Sequence, residues 1–315
     1  PLSSLEDVAK NDFVAGWSDL GTVDGTFYGP PFGANVKSFV WYNPSKFAEG
    51  GYEVPTTWDA MVELSDQIVA DGGKPWCVAA GSDQATGWPL TDWMEDAVLR
   101  FAGPEVYDQW HKHEIPFNDP ALVAALDKAG EIVKNEDYVL NGVGSIQGTT
   151  FNDGGLPLLD GGCYMYRMAS FYGNQFPEGT TKGPDGEINA FYLPVASEGD
   201  PTVMLGGGEL IGAFNDKPET LEVATFLASA DWANARMALG NYFTAHKGGD
   251  TSLITDPLER SFQEALLEAD VFRFDASDLM PSAVGAGTFW SEMINWVSGD
   301  SSEEVLTGVE ESWPS

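Results

Sequence analysis

The chain has 315 residues, of which 43% are hydrophobic, so it is long enough to bury a large core and too apolar to be disordered. Its 15 lysines and arginines against 49 aspartates and glutamates give a net charge of −34. A field of that sign repels nucleic acids and anionic lipid headgroups, so we expect neither as a partner. The acidic residues are spread along the chain, and we interpret them as a solvated surface suited to saline or acidic surroundings.

The first predicted elements are a short helix and a strand. Residues 1–25 place apolar side chains at helical spacing and end in an Asp24-Gly25 turn. The apolar residues 36–42 predict a strand, which follows a Gly-Pro-Pro turn and ends at Asn43, because Pro44 disfavours helical geometry in the residue before it. A strand between a turn and a new helical unit is typical of a crossing between two lobes.

Strands and helices alternate through the rest of the chain. Thr56 or Thr57 is expected to cap an amphipathic helix that ends at Gly72-Gly73, and Asp119-Pro120 to begin another that runs to Asn135. The further predicted helices are 91–101, 219–230, 232–239, 256–269, 284–297 and 302–309. The further predicted strands are 75–80, 162–166, 189–193, 203–214 with a glycine joint at 206–208, and an extended segment at 272–281. This alternation predicts an α/β fold.

The cysteines and histidines give no metal or cofactor signature. Cys77 and Cys163 could pair in an exported protein or remain two buried thiols, and the sequence leaves this open. Neither cysteine has metal-like spacing, and His111 and His113 are expected to be solvated, so we expect no metal site and no cofactor. The glycines at 206–208 lack the spacing and the following helix of a dinucleotide loop.

Aromatic and acidic residues give the remaining functional hints. Most of the 11 tryptophans are expected in the core, but a surplus of tryptophan on loops suits carbohydrates, whose C–H faces pack on aromatic rings. Acidic residues recur close together at 92, 95 and 96 and at 275 and 278. A glycosidase needs two carboxylates at a set separation across a bond, which a sequence does not show, so we expect these residues to be surface acids or ligand acceptors.

The C-terminal stretch from Phe274 to Trp290 carries the most specific signal. Its Met280-Pro281 followed by Phe289-Trp290 resembles a segment of the maltose-type sugar-binding proteins of ABC importers, in which the tryptophan stacks on the sugar. The chain is still more similar to alpha-glucoside-type binding proteins, and the resemblance covers nearly all of its length. The further matching segments are Pro75-Trp76-Cys77, 85–89, Asp92-Trp93 and 113–119, and the Thr26–Phe47 stretch is similar to the family's hinge crossing.

The resemblance implies a two-lobed, periplasmic-binding-protein-like α/β fold of type II with hinge crossings. The first lobe then consists of residues 1–38 and 207–257, and the second of residues 39–206 and 258–315. The strand–helix–strand–helix run that opens the first lobe in the family has no match in this chain, so we expect that lobe to be incomplete here.

The resemblance also implies a ligand site in the cleft between the lobes. The implied roles are hydrogen-bond donors, acceptors and stacking rings, with a glycine that lets the ligand approach the backbone. The residues are Asn35 and Lys37 as donors, Trp88 as a wall, Asp92, Glu209 and Asp278 as acceptors, Arg167 as a fork onto two oxygens, Phe171, Phe289 and Trp290 as stacking rings, and Gly207 as the point of close approach. Residues 167–171 depart from the Trp-rich loop of maltose-type proteins, which leaves the ligand's identity open.

The implied function is to bind an alpha-linked di- or oligosaccharide, or a similar glucoside, and to deliver it to an ABC permease by hinge closure. The expected partners are this neutral sugar and the membrane subunits of the transporter, with the chain itself monomeric and without enzymatic activity. The expected location is extracellular or periplasmic, including a cell-surface lipoprotein, with no signal segment in this chain. The alternatives are a secreted glycoside hydrolase acting through Asp92, Glu209 or Asp278, and a fragment that serves only as an interaction surface.

Overall fold

The computed structural model describes residues 1–314. The strands are β1 Thr22–Val23, β2 Thr26–Phe27, β3 Pro31–Val36, β4 Phe39–Tyr42, β5 Trp76–Cys77, β6 Met165–Arg167, β7 Asn189–Tyr192, β8 Val203–Leu210 and β9 Val271–Phe274. The helices are α1 Glu6–Asp12, α2 Trp17–Leu20, α3 Pro44–Gly50, α4 Trp58–Ala70, α5 Trp88–Ala97, α6 Pro104–His111, α7 Pro120–Val133, α8 Phe151–Gly154, α9 Pro218–Leu227, α10 Ala230–Met237, α11 Pro257–Glu268, α12 Ala276–Leu279, α13 Phe289–Ser298 and α14 Ser302–Glu311. The predicted α/β class is confirmed.

The strands form two main sheets and a small hairpin of β1 and β2. The first sheet has the order β3-β8-β9, with β3 and β8 antiparallel and β8 and β9 parallel. The second has the order β5-β6-β4-β7. The chain passes from the first sheet to the second at Lys37 and Ser38, between β3 and β4. These two residues therefore stand where the sheets meet.

Side-chain caps begin the helices where the sequence predicts them. The Thr57 hydroxyl accepts a hydrogen bond from the backbone N–H of Ala60 at the start of α4, and Asp119 accepts one from Ala121 at the start of α7. Asn43 accepts hydrogen bonds from Ser45 and Lys46, which begins α3, a helix that the sequence analysis did not predict. The proline that ends β4 is thus also the first residue of a helix, where its missing N–H is not needed.

Three predicted segments near the crossings are wrong in detail. Residues 203–210 form one unbroken strand, and the expected joint at the glycines is absent because all three pair with β3. The segment 272–281 is extended only to Phe274, since the Asp275 side chain then caps the short helix α12. The predicted strand at 36–42 is likewise two strands, β3 and β4, with Lys37 and Ser38 between them.

The core is rich in aromatic rings and carries one disulfide. The tryptophans that are completely or almost completely buried are Trp17, Trp41, Trp58, Trp76, Trp93, Trp110 and Trp296. Cys77 and Cys163 are joined, which answers the question that the sequence left open. The bond ties β5 to the segment just before its neighbour β6.

Candidate functional site

The crossing strands present one polar face and one apolar face. Asn35 pairs with Gly207 and Gly33 pairs with Glu209 across β3 and β8. Because side chains alternate along a strand, these residues share a face, while Gly208 lies against the buried Trp17 on the opposite face. On the polar face, residues 33 and 207 are glycines, so the surface there consists of backbone atoms; we call this surface the floor.

Lys37 lies on this floor. Its side chain passes over Gly207, where an added Cβ would stand 3.4 Å from the lysine Cε. The ammonium forms ion pairs with Asp92, at 2.9 Å, and with Asp275. Burial alone would lower the pKa of Lys37, but the charges of Asp275 and Asp92 outweigh it and raise the pKa above its ordinary value. Lys37 is therefore charged at any physiological pH.

A second group of buried charges surrounds Arg167. Its guanidinium bonds Oδ2 of Asp92 at 3.0 Å and Oδ2 of Asp96, and Arg100 bonds Oδ1 of Asp96 at 2.6 Å. Burial would raise the pKa of Asp96, but Arg100 and Arg167 lower it below its ordinary value. The Ser38 hydroxyl also donates to Asp96, at 2.6 Å, and accepts from the backbone N–H of Leu205 in β8. This network fixes both crossings to α5.

Asp275, the residue that caps α12, completes the cluster with two carboxylates of α5. Oxygens of Asp92, Glu95 and Asp275 lie within 4.8 Å of one another, close enough to hold a cation. The ammonium of Lys37 supplies that cation, because it contacts Asp92 and Asp275 directly. Burial and the neighbouring Asp275 and Asp92 charges raise the pKa of Glu95 well above its ordinary value. Glu95 also accepts hydrogen bonds from the backbone N–H groups of Ala276 and Ser277.

Three aromatic rings form a partly exposed wall beside Lys37. The Trp88 ring centroid lies 5.2 Å from that of Phe151 and 6.1 Å from that of Phe171. The ammonium of Lys37 stands 5.5 Å above the Trp88 ring, within the range of a cation–π contact. The apolar ring faces therefore stand beside the charged ammonium of Lys37. This combination suits a polar ligand that also has C–H faces.

Gly87 allows the start of α5 to pass close to the backbone of Trp290 in α13. Gly87 has φ of 116°, and a Cβ at this position would stand 2.3 Å from the carbonyl oxygen of Trp290. Any other residue would push the two segments apart. The two tryptophans of the predicted site therefore lie on helices that touch, Trp88 on α5 and Trp290 on α13.

Asp278 is the acid of this region that keeps an exposed side. It follows Asp275 on α12, and its carboxylate makes no hydrogen bond within residues 1–314. Partial burial and the nearby charge of Asp275 raise its pKa to about 6. Its oxygens are available to accept hydrogen bonds from a ligand.

Three of the predicted site residues have structural roles instead. Phe289 is fully buried and packs on Trp110 and Phe117, so its ring offers no face to a ligand. Arg167 does fork onto two neighbouring oxygens, but these belong to Asp92 and Asp96. Asp92 is 1% exposed with an oxygen on each of two cations, so it is not a free acceptor. The acids at 92, 95, 96 and 275 were expected to be surface acids or ligand acceptors, and the first alternative is wrong because all four are buried.

The sequence analysis missed Ser38, Arg100 and Phe151. Ser38 and Arg100 hold the charged network, and Phe151 completes the aromatic wall. The spacing of the acids at 92 and 96 was a usable signal, because residues four apart share a face of a helix and both then meet Arg167. Phe151 had no such signal, since it lies on the short helix α8.

The fold is that of a two-lobed solute-binding protein of the periplasmic type. Residues 2–234 match the model of the bacterial extracellular solute-binding protein family. The chain therefore belongs to that family, whose members bind solutes for ABC transporters and are not enzymes. Within residues 1–314, the helices are all too short or too polar to cross a membrane.

Two relatives are similar over almost the whole chain. It is 43% identical over 300 residues to the osmoprotective compounds-binding protein GgtB of Synechocystis sp., which covers 95% of this chain and 70% of that protein. It is 39% identical over 331 residues to the alpha-glucosides-binding periplasmic protein AglE of Rhizobium meliloti, which covers 100% of this chain and 71% of that protein.

Solved structures support the fold. A chitin oligosaccharide binding protein superposes with a TM-score of 0.77 at 20% identity, over 98% of this chain and 76% of that one. RafE from Streptococcus pneumoniae superposes with a TM-score of 0.75 at 20% identity, over 98% of this chain and 76% of that one. At this level of identity the likeness establishes the two-lobed fold.

Proposed function

We propose that the chain binds an alpha-linked di- or oligosaccharide, or a similar glucoside, in the cleft between the lobes and delivers it to an ABC permease. The observation that carries the proposal is the placement of Lys37, Asp278 and the Trp88 ring around a floor of backbone at Gly207. A pyranose ring has hydroxyls at its edge and C–H groups on its faces, and this site offers partners for both. The name of AglE, an alpha-glucosides-binding protein, supports the same ligand class.

The proposed mechanism is hinge closure about the two crossings. Lys37 and Ser38 lie between the sheets, and Ser38 is bonded to β8, so rotation of one lobe on the other is concentrated at this point. A ligand that bridges the lobes binds the closed state better than the open one and shifts the population towards it. The lobe boundaries at 38/39, 206/207 and 257/258 are part of this proposal, as is release at the cell exterior to a membrane permease.

Three kinds of predicted residue remain in the proposed site. Lys37 and Asp278 are the polar groups at one end of the proposed site. The aromatic rings are those of Trp88, Phe171 and Trp290. The site continues along β3 and β8 past Asn35, Gly207 and Glu209. The hydrolase alternative has no support, because the matched relatives are binding proteins and Asp92 is held between two cations.

The test is thermal unfolding with methyl α-glucoside, trehalose, maltose and sucrose, followed by recovery of the sugar. A ligand at a hundred times its Kd adds about 2.7 kcal/mol to the free energy of unfolding. We expect at least one of these glucosides to raise the Tm and to be recovered intact. A flat result for all four would overturn the proposal, and release of glucose would restore the hydrolase alternative.

A pair of tryptophan variants locates the binding. Trp88→Ala removes a ring of the proposed wall and is expected to weaken binding by about tenfold or more. Trp313→Ala removes another partly exposed ring, stacked on His113 far along the chain, and is expected to leave the affinity unchanged. Equal affinities in the two variants would place the ligand elsewhere.

A further inference from the structure

Glu95 is a buried acid that the proposed function does not use. It is fully buried on α5, and its carboxyl oxygens lie within 4.8 Å of those of Asp92 and Asp275. The ammonium of Lys37 contacts Asp92 and Asp275 directly, but among residues 1–314 it makes no ion pair with Glu95. Of the three carboxyl groups, Glu95 is therefore the one without a cation of its own.

The charges of this region balance only if one carboxyl group is neutral. The groups that pair with one another are the cations Lys37, Arg100 and Arg167 and the carboxylates of Asp92, Asp96 and Asp275. An ionised Glu95 would add a fourth negative charge, without a partner, to a region closed to solvent. A buried group in this position avoids that cost by taking up a proton.

A hydrogen bond between Glu95 and Asp275 requires a proton on one of them, because two ionised carboxylates have none to share. Burial and the charges of Asp275 and Asp92 raise the pKa of Glu95. Burial would raise the pKa of Asp275 as well, but the Lys37 ammonium holds it below its ordinary value. Asp275 also accepts from the Ser277 hydroxyl at 2.6 Å, so it is the acceptor of the pair and Glu95 the donor.

Neutral groups hold the rest of the Glu95 carboxyl. It accepts from the backbone N–H groups of Ala276, at 3.0 Å, and Ser277, at 3.2 Å. The Tyr107 hydroxyl of α6 lies 3.3 Å from Oε2 and donates to the carbonyl of Phe274 at 2.8 Å. These contacts fix the carboxyl in place without supplying a positive charge.

We propose that Glu95 carries a proton in the folded protein and donates it to Asp275, which positions the Lys37 ammonium and leaves its third N–H for the ligand. An ammonium has three N–H donors, and Asp92 and Asp275 accept two of them. An ionised Glu95 would compete with the ligand for the third. Glu95 is thus a positioning residue, and the inference rests on the function proposed above and deepens it.

Infrared spectroscopy at pH 7 locates the proton without a ligand. A protonated carboxyl has a C=O stretch distinct from the bands of carboxylates, and a heavy carbon isotope in the side-chain carboxyl of glutamate shifts it only if the acid is a glutamate. We expect this shifted band in the unsubstituted chain and in Glu63→Gln, at an exposed glutamate on α4, but not in Glu95→Gln. If the label shifts no such band in the unsubstituted chain, the proposal is overturned.

The dependence of stability on pH tests the same proton. Since burial and the neighbouring acids raise the pKa of Glu95 above 4.5, the unsubstituted chain should lose stability relative to Glu95→Gln as pH rises above 4.5. The relative change in the unfolding constant is about tenfold per pH unit until Glu95 ionises in the folded state. The amide of the variant donates to Asp275 but does not ionise. Parallel urea-unfolding curves for the two proteins between pH 5 and 8 would contradict the proposal, and Glu63→Gln should stay parallel to the unsubstituted chain.

A second variant tests the effect on the ligand. Glu95→Leu is similar in size to Glu95→Gln but has no donor for Asp275. We expect it to bind the best of the four sugars about tenfold more weakly than Glu95→Gln in calorimetry, because Asp275 then draws more strongly on Lys37. Equal affinities of the two variants would overturn the positioning role.

Failure of this inference is distinct from failure of the proposed function. If the sugars bind but the infrared band or the pH dependence is missing, the function stands and the inference is wrong. If the unsubstituted chain binds none of the sugars, the proposed function fails, and the infrared and unfolding measurements still decide whether Glu95 carries the proton. The same two measurements decide it if Glu95→Leu does not fold.

Discussion

Two groups of polar residues meet at the crossings, and they differ in whether their partners lie inside the protein. Around Arg167, the charges of Asp92, Asp96 and Arg100 are paired with one another in a region closed to solvent. Along the polar face of β3 and β8, the side chains of Asn35 and Glu209 have no partner among the described residues. In the proposed mechanism, the paired group sets the geometry of the hinge and the unpaired group binds the ligand.

This difference has an energetic basis. A buried ion pair recovers the cost of leaving water only if both charges are held by their partners, and removal of one partner leaves an uncompensated charge. An exposed polar side chain does not carry this free-energy cost, because water replaces a missing partner. Substitutions in the paired group should therefore change stability, and substitutions in the unpaired group should change affinity.

The largest expected effect is that of Arg167→Met. It leaves Asp96 with one cation fewer and Asp92 with Lys37 alone, and we expect a loss of about 3–5 kcal/mol in the free energy of unfolding. Urea unfolding followed by tryptophan fluorescence measures it.

Arg273→Met is the matched control for this substitution. Arg273 makes a two-pronged pair with Asp108, but both side chains are about one-third exposed. We expect a loss of no more than about 1 kcal/mol. Equal losses in the two variants would mean that burial does not separate the two groups of polar residues.

Ser38→Ala is expected to have an intermediate effect. The hydroxyl is fully buried and bonds both Asp96 and the N–H of Leu205, so its removal leaves a backbone donor unsatisfied. We expect a loss of about 1–3 kcal/mol in unfolding free energy. Ser298→Ala, at an exposed hydroxyl on α13, should change stability by less than about 0.5 kcal/mol, and a similar value for Ser38→Ala would contradict its role at the hinge.

Asp278→Asn is expected to have the smallest effect on stability and a pH-dependent effect on binding. A carboxyl with a raised pKa holds its proton more tightly when folded, so its ionisation destabilises the fold. That penalty is absent below its ordinary pKa of 3.8 and complete above about 6. The unsubstituted chain should therefore lose stability relative to the variant as pH rises through this interval.

The affinity of the unsubstituted chain for the sugar should change in the opposite direction to its stability. The ionised carboxylate is the better acceptor for sugar hydroxyls, so binding to the unsubstituted chain should strengthen as pH rises through about 6. Calorimetry at pH 5 and 7.5 should show no such rise in Asp278→Asn and a normal rise in Asp185→Asn, an exposed loop residue. If the affinity changes equally between these two pH values in all three proteins, Asp278 is not part of the site.

The sequence predicted the elements better than the roles of single residues. Caps such as Thr57 and Asp119 act through neighbours two or three residues away, so local sequence was sufficient. The unbroken strand β8 was missed because its glycines are held by pairing with β3, a segment some 170 residues distant that local propensity ignores.

The resemblance to sugar-binding proteins indicated the region of the proposed site, but it did not show which side chains there are exposed. Phe289 and Trp290 are adjacent, yet the first is in the core and the second is partly exposed, because neighbours on a helix point in different directions. Arg167 was predicted to fork onto oxygens, and only the packing of α5 shows that these belong to the protein. Burial depends on the folded neighbours, so no local pattern could separate these residues.

Because of the disulfide between Cys77 and Cys163, the stability of the fold depends on whether the surrounding compartment is reducing or oxidising. The bond closes a loop over a sequence separation of 86 residues, which limits the unfolded ensemble and contributes about 2–5 kcal/mol. In a reducing cytosol this contribution is missing, so a newly made chain is easier to keep unfolded for passage through a membrane. In an oxidising compartment the disulfide forms in the sheet that carries β5 and β6. The free energy of unfolding is then higher than that of the newly made, reduced chain.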